Sequence, residues 1–413
     1  MSKNFLCSIL SLALLSFLFT ACSDEGGRQA EPDFQQPSEI ICQTRGMAPA
    51  RAANDENGVW VLEEGEGKIG DKYFYNIKYI DFETGLMGYL CDEPGCGHNS
   101  DSCPSVISQN SGGSYIVRAG DKLITIVDFH SEEPSYINVS DPDGKNSRLI
   151  TTFAPGRIIG KPEGGAYIAG ENSLFVVAEE FALIDDDYNY SYTKQLVRVD
   201  LDTGRQRLVA DIPANSFVSG VLDNKFLIWN YKAGCIYTID LDGNESEKVQ
   251  VMGVKNYFTY NGAAFAIDMD NKKLQRVNPD LSFTDIMDLP FYGKAGDVHL
   301  RAVDAGYLMA QNGVYDRDKN QWDMTLYSID LESFEIKTMK NRIENDQKDG
   351  VFLPLAVTDK YVLAVVKQTD YDFVYQGHPG MYGHKTRNTY GIFTLEDFVN
   401  GSPVYTEVER LPS

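Results

Sequence analysis

The chain has 413 residues, with 60 Asp and Glu against 37 Lys and Arg, a formal net charge of −23. That balance excludes a nucleic-acid binder, whose affinity rests on basic side chains neutralising phosphates, and it excludes attachment to an anionic membrane through surface charge. Hydrophobic residues at 43% and aromatics at 12% exclude wholesale disorder, while the length allows two or three domains or one large closed β architecture.

Residues 1–21 carry one charge, Lys3, followed by an apolar run from Phe5 to Phe19. The run has the length of a secretory h-region and falls short of a membrane span of roughly 20 apolar residues plus flanks. It ends in Phe19-Thr20-Ala21-Cys22, which resembles a bacterial lipobox with Phe19 where Leu is usual. The expectation is a signal peptide over 1–21 and diacylglycerol on the sulfur of Cys22. Two or three acyl chains there would hold the protein stably on the outer face of a bacterial membrane. Residues 22–57 are polar, rich in Pro, Gly, Ala and charge, and read as a lipidated tether.

From residue 58 to 413 the chain consists of short β-type runs broken by Asp, Gly and Asn. One unit returns: two apolar positions flanking a third residue, then Asp, then an acidic or small turn residue. Its anchors are Asp81, Asp141, Asp200, Asp240, Asn278, Asp330 and Thr394, spaced 38 to 64 residues apart. Another strand opened by a turn precedes most anchors, as at Asp121-Lys122, Asp223-Asn224-Lys225 and Asp359-Lys360. The unit reads as turn, inner strand, middle strand, hairpin, outer strand. The period suits a propeller blade, and a ring of blades removes the exposed-edge problem of an open sheet. The predicted fold is all-β, a single β-propeller of seven four-stranded blades, or six or eight if a loose copy is miscounted. Val59-Trp60-Val61-Leu62, ahead of the first full unit, is expected to complete the last blade and clasp the ring.

A Cys/His-rich loop falls at residues 90–104. Cys91, Cys96, His98 and Cys103 form C-x4-C-x-H-x4-C, and three thiolates with one imidazole are a complete tetrahedral zinc set. An exported protein also meets disulfide-forming conditions. Of seven cysteines, removing Cys7 with the signal and Cys22 as the lipid site leaves Cys42, Cys91, Cys96, Cys103 and Cys235, an odd number that cannot all pair. The loop holds one structural zinc, takes part in disulfides, or keeps free thiols. Cys235 lies in a strand context and is expected to be buried as a small hydrophobe.

The string from Leu90 to Pro104, of the form LC-xx-P-x-C-x-H-x4-C, together with the signal-plus-cysteine start and Tyr/Asp-rich blades, is similar to uncharacterised bacterial cell-envelope lipoproteins. Those carry a β-propeller of the low-density-lipoprotein-receptor-related and TolB-like kind. The resemblance implies a surface-tethered propeller. TolB-like propellers are commonly six-bladed, and the seven anchors here depart from that number.

Two insertions lengthen their repeats. The first, 184–192, is acidic and offers Tyr188, Tyr190 and Tyr192. The second, 371–390, offers Tyr375, Tyr382 and Tyr390, with His378, His384, Lys385 and Arg387 as groups able to move protons. Long loops on a rigid scaffold often carry binding, and aromatics among polar residues suit sugar rings or peptides. A solvated hairpin extension explains the same composition. Asp141-x-Asp143-Gly144 and Asp240-x-Asp242-Gly243 are read as hairpin turns and not calcium loops, because the acidic residue at position twelve is missing. There is no nucleotide-binding glycine loop, no G-x-S-x-G elbow and no H-E-x-x-H. Three functions stay open. The first is an anchored module binding a protein, peptide or glycan. The second is a propeller-type glycan lyase or hydrolase using His378 or His384, aided by Arg387. The third is a metal- or redox-responsive envelope protein.

Overall fold

Each anchor ends the third strand of a sheet and turns the chain into the fourth by local chemistry. Asp81 Oδ1 accepts from the amide of Thr84 at 2.7 Å, Asp200 Oδ1 from Thr203 at 2.7 Å, and Asp330 Oδ1 from Ser333 at 2.9 Å. Asp240 Oδ1 accepts from Asp242 and Asn244, both at 2.9 Å. These are Asx turns, in which a carboxylate replaces a backbone acceptor. Thr394 stands in the Asp place for a reason: its hydroxyl caps a short helix, Leu395–Val399, by accepting from the amide of Asp397 at 3.0 Å.

The computed structural model describes residues 39–42, 52–65, 69–70, 72–109, 113–128, 133–160, 167–183, 190–253, 255–291, 298–316, 321–339, 342–345, 350–374 and 382–411. Their strands form seven sheets, each the blade of a β-propeller built around four antiparallel strands. Blade 4 shows the plain unit: Ser216–Leu222, Lys225–Asn230, Cys235–Ile239 and Val249–Gln250. The strand opened by each Asp turn, such as Lys122–Val127 or Lys225–Asn230, is the second of its blade. The innermost strand precedes it, so the order read from sequence was one strand short at the axis. Two of those inner strands, Ala52–Asn54 and Tyr167–Ala169, are only three residues long.

Apolar faces of successive blades pack together as seven clusters. One of them joins Val59, Ile80 and Met87 of blade 1 to Leu363, Tyr390 and Ile392 of blade 7, which closes the ring. The closure differs from the expected clasp. Gly58–Glu64 is the second strand of blade 1, paired with Ala52–Asn54 and Tyr73–Asp81, and it meets blade 7 through side chains such as Val59 and not as one of its strands. The C-terminus does the joining: Glu409–Arg410 runs parallel to Leu86–Tyr89 on the outer edge of blade 1. Strands also begin earlier than residue 58. Ala52–Asn54 opens blade 1, and Ile40–Cys42 adds to the inner edge of blade 3 against Tyr167–Ala169. Both lie inside the stretch expected as tether.

Up-and-down strands give the propeller two faces. The turns between first and second strands, and between third and fourth, lie on one, here the turn face. Lys122 of blade 2 spans it, donating to the Glu171 carbonyl at 3.4 Å and to Asp202 Oδ1 at 2.8 Å, groups in both kinds of turn of blade 3. The second-to-third hairpins and the blade-to-blade connections lie on the other, the hairpin face, where Tyr231 N donates to the Asn215 carbonyl at 3.1 Å and Val251 N to Gly234 at 2.7 Å. Among the described residues no helix is long and apolar enough to cross a membrane.

Candidate metal centre and binding face

The Cys/His loop connects blade 1 to blade 2 on the hairpin face. It leaves Leu86–Tyr89, the fourth strand, and returns through Val106–Gln109, which pairs with Tyr73–Asn76. Gly95 (φ +77) and His98 (φ +48) both take left-handed backbone, which folds the loop onto itself. His98 holds that conformation because its carbonyl accepts from the Asn76 side chain at 2.9 Å and its ring stacks on Tyr89 with centroids 3.9 Å apart. Ser105, fully buried, accepts the Cys91 amide at 2.5 Å while its own carbonyl receives the amide of Ile77 at 2.7 Å.

The result is convergence. Ligand atoms of Cys91, Cys96, His98 and Cys103 all lie within 4.8 Å of one another, and the group could hold a metal ion. Cys91, Cys103 and His98 are buried and Cys96 is half-buried. His98 Nδ1 is 3.5 Å from Cys103 Sγ. A tetrahedral ion with metal–sulfur near 2.3 Å and metal–nitrogen near 2.05 Å sets those atoms about 3.5–3.6 Å apart. The donor set and its spacing thus fit such an ion. Burial pushes the Cys103 thiol up to about 12, and burial followed by the nearby Lys78 charge lowers His98. The Cys96 thiol is lowered, chiefly by the amide of His98. Cys91, Cys96, Cys103 and Cys235 are free of disulfides in the structure.

Of the supporting residues, Tyr89 and Ser105 flank the loop in sequence without marking themselves as its partners, and Asn76 is brought to it only by the tertiary fold. Behind them runs a charged chain. Lys78 Nζ sits 4.5 Å from the Tyr89 ring centroid and 2.9 Å from Glu63. Glu63 receives both terminal nitrogens of Arg410, at 2.7 and 2.8 Å. Burial alone would raise the Glu63 carboxyl; the Arg410 hydrogen bonds and the Lys78 charge override it and hold it at about 2.

The two insertions are hairpin extensions on the same face. Ser173–Leu183 pairs with Tyr190–Asp200 in blade 3, and Tyr361–Val374 with Tyr382–Thr394 in blade 7. Tyr188, Tyr375 and His378 lie outside the described residues, as do the side chains of Tyr190, Tyr382 and His384 and the Cys22 lipidation site. Tyr192 is half-buried and Arg387 exposed. Tyr390 leaves the set of ligand candidates: it is 4% exposed in the core between blades 7 and 1, where burial and the Glu63 charge raise its hydroxyl strongly. Its place on the body of a long hairpin, and not at the tip, explains that. Cys235 is buried in the third strand of blade 4, as expected. Asp141 and Asp240 form turns; Asn146 and Asn244 side chains donate to their free carboxylate oxygens at 2.6 and 2.9 Å.

No protein-family model matches the sequence, and no curated protein matches it. Solved structures do. An acylaminoacyl peptidase from Pyrococcus horikoshii is similar with a TM-score of 0.52 at 11% identity, over 89% of this chain and 52% of that one, so this chain spans about half its length. An oligogalacturonate lyase from Vibrio parahaemolyticus matches with a TM-score of 0.50 at 13% identity, over 85% and 91% of the two chains. The β-propeller domain of the Trilobed protease from Pyrococcus furiosus, which has an open velcro topology, matches with a TM-score of 0.50 at 13% identity, over 89% and 97%. What the chain shares with all three is its propeller scaffold, a likeness of fold.

Proposed function

We propose that this protein is an exported, lipid-anchored β-propeller that binds a protein, peptide or glycan ligand on its hairpin face, with one structural zinc ion stapling the loop of blade 1. The observation that carries the reading is the convergence of Cys91, Cys96, His98 and Cys103 within 4.8 Å on that face. Cys91, Cys96 and Cys103 would hold the ion as thiolates and His98 through its imidazole. Four protein ligands leave no open coordination position, so the ion's contribution is to cross-link the loop, and catalysis is not asked of it. The extended hairpins of blades 3 and 7 carry the candidate tyrosines on the same face of the ring, and Cys22 is the anchor.

The test is elemental analysis of protein purified without chelator, with a free-thiol count. The expected result is one zinc per chain, lost in Cys96→Ser, with a lower urea midpoint. A metal-free protein with a disulfide among Cys91, Cys96 and Cys103 would refute the staple. Glycan and peptide arrays test the face: binding that survives Tyr382→Ala together with Tyr192→Ala counts against it. The likeness to an oligogalacturonate lyase makes a glycan lyase the second reading, and absence of an unsaturated product from oligogalacturonate and from envelope and dietary polysaccharides removes it.

A further inference from the structure

The N-terminal strand Ile40–Cys42 assigns the two faces of the propeller to two sides of the anchored protein. The strand lies antiparallel to Tyr167–Ala169, with Ile40 opposite Ala169 and Cys42 opposite Tyr167. Ala169 adjoins the turn of Gly170 to Asn172, whose Asn172 carbonyl accepts the Leu201 amide at 2.8 Å across the turn face. Ile40 therefore lies at the turn face, and the chain runs from there along the inner edge of blade 3 toward the hairpin face. A second blade fixes the same end. The Ile40 amide donates to Asn224 Oδ1 at 2.8 Å, and Asn224 sits in the turn between the first two strands of blade 4. Glu39 and Ile40 also line a cavity of about 350 Å³ with Asp223, Asn224 and Asn261, all turn-face residues. The Ile40 side chain, 5% exposed, is seated among Tyr167, Val218 and Val221 between blades 3 and 4. The segment is thus built into the wall of the ring and is no loose end.

Resting on the proposed acylation of Cys22, we propose that the turn face of the propeller faces the membrane and that the hairpin face, with the Cys/His loop and the long hairpins of blades 3 and 7, faces away as the partner-accessible surface. Sixteen residues separate Cys22 from Glu39. A six-residue strand, and with it a blade, is about 20 Å tall. The proposed orientation puts the hairpin face farther from the bilayer than the turn face by about that height.

The experiment uses membrane-extracted protein carrying a fluorescent unnatural residue at Asp242, on the turn face, or at Met252, 89% exposed in the connection between blades 4 and 5 on the hairpin face. Each is reconstituted into phosphatidylcholine vesicles containing a trace of acceptor-labelled lipid. Energy transfer is expected to be several-fold stronger from position 242; equal or stronger transfer from 252 overturns the orientation. The mass of the N-terminal peptide reports acylation separately. An unacylated Cys22 overturns the anchored reading and the orientation with it. The threading itself is read without lipid: Ile40→Cys with Ala169→Cys in a Cys42→Ser background is expected to cross-link in the folded protein, and failure to do so removes the basis of the assignment.

Discussion

Glu63 is the group through which the last strand holds the first blade, and Glu63→Gln tests that closure. The side chain is 14% exposed and takes hydrogen bonds from Arg410 and Lys78. Holding a carboxyl at about 2 in place of 4.5 corresponds to about 3 kcal/mol of stability at neutral pH. Because the folded value is depressed, that contribution is complete above the unfolded value near 4.5 and is lost as pH falls toward about 2. Glutamine keeps the shape and removes the charge, so the expected loss is about 2–3 kcal/mol at pH 7, diminishing by roughly 40% at pH 3.5. Arg410→Ala, whose guanidinium is partly screened by solvent, is expected to cost about 1–2 kcal/mol. Urea denaturation followed by tryptophan fluorescence at pH 7, 5 and 3.5 reads both. A loss below about 0.5 kcal/mol, or one that does not change with pH, would refute the argument that this ion pair secures the ring.

Further substitutions test the packing. Gly204→Ala places a Cβ 1.8 Å from the Ile150 carbonyl oxygen at φ +72, whereas Gly306→Ala, at φ +83, meets open space. The first is expected to cost more than about 3 kcal/mol and the second about 1 kcal/mol in urea titrations, since only the first must move a neighbouring blade. Lys255→Met strands Asp268, 3% exposed and bonded to Lys255 Nζ at 2.5 Å, and is expected to cost about 3–5 kcal/mol, much of it restored when Asp268→Asn is added. Trp60→Phe removes the indole bond to the Pro142 carbonyl at 2.8 Å, which joins blades 1 and 2, and is expected to lower stability by about 1 kcal/mol.

The sequence carried what is local. An Asx turn is chemistry within four residues, so Asp81, Asp200, Asp240 and Asp330 announced the blade repeat and its number. The Cys/His set was legible for the same reason, since Cys91 to Cys103 is one loop. What escaped depends on distant pairing. Ile40–Cys42 meets residues well over a hundred positions away, and nothing in Ile-Ile-Cys distinguishes a blade strand from a tether with two apolar residues. Glu409–Arg410 likewise closes the ring with two residues, too few to show any alternation. Tyr390 was read with the loop around it, yet the strand pairing of 361–374 with 382–394 carries it back into the core.

The position of the Cys/His loop now has a physical reason. Blade 1 receives the last strand of the chain, yet that strand is only two residues long. The blade where the ring is joined is also the one that carries the loop. From Arg410 the contacts run through Glu63 and Lys78 to Tyr89, and from Tyr89 to His98. A cross-link at His98 therefore braces the aromatic on which the Lys78 ammonium rests, and through it the carboxylate that holds the C-terminal strand. Removing zinc in the proposed site should then weaken the Glu63–Arg410 latch as well as the loop: the cost of Glu63→Gln should be smaller in chelator-treated protein than in metal-loaded protein. Equal costs in the two states would mean that loop and latch stabilise the blade independently.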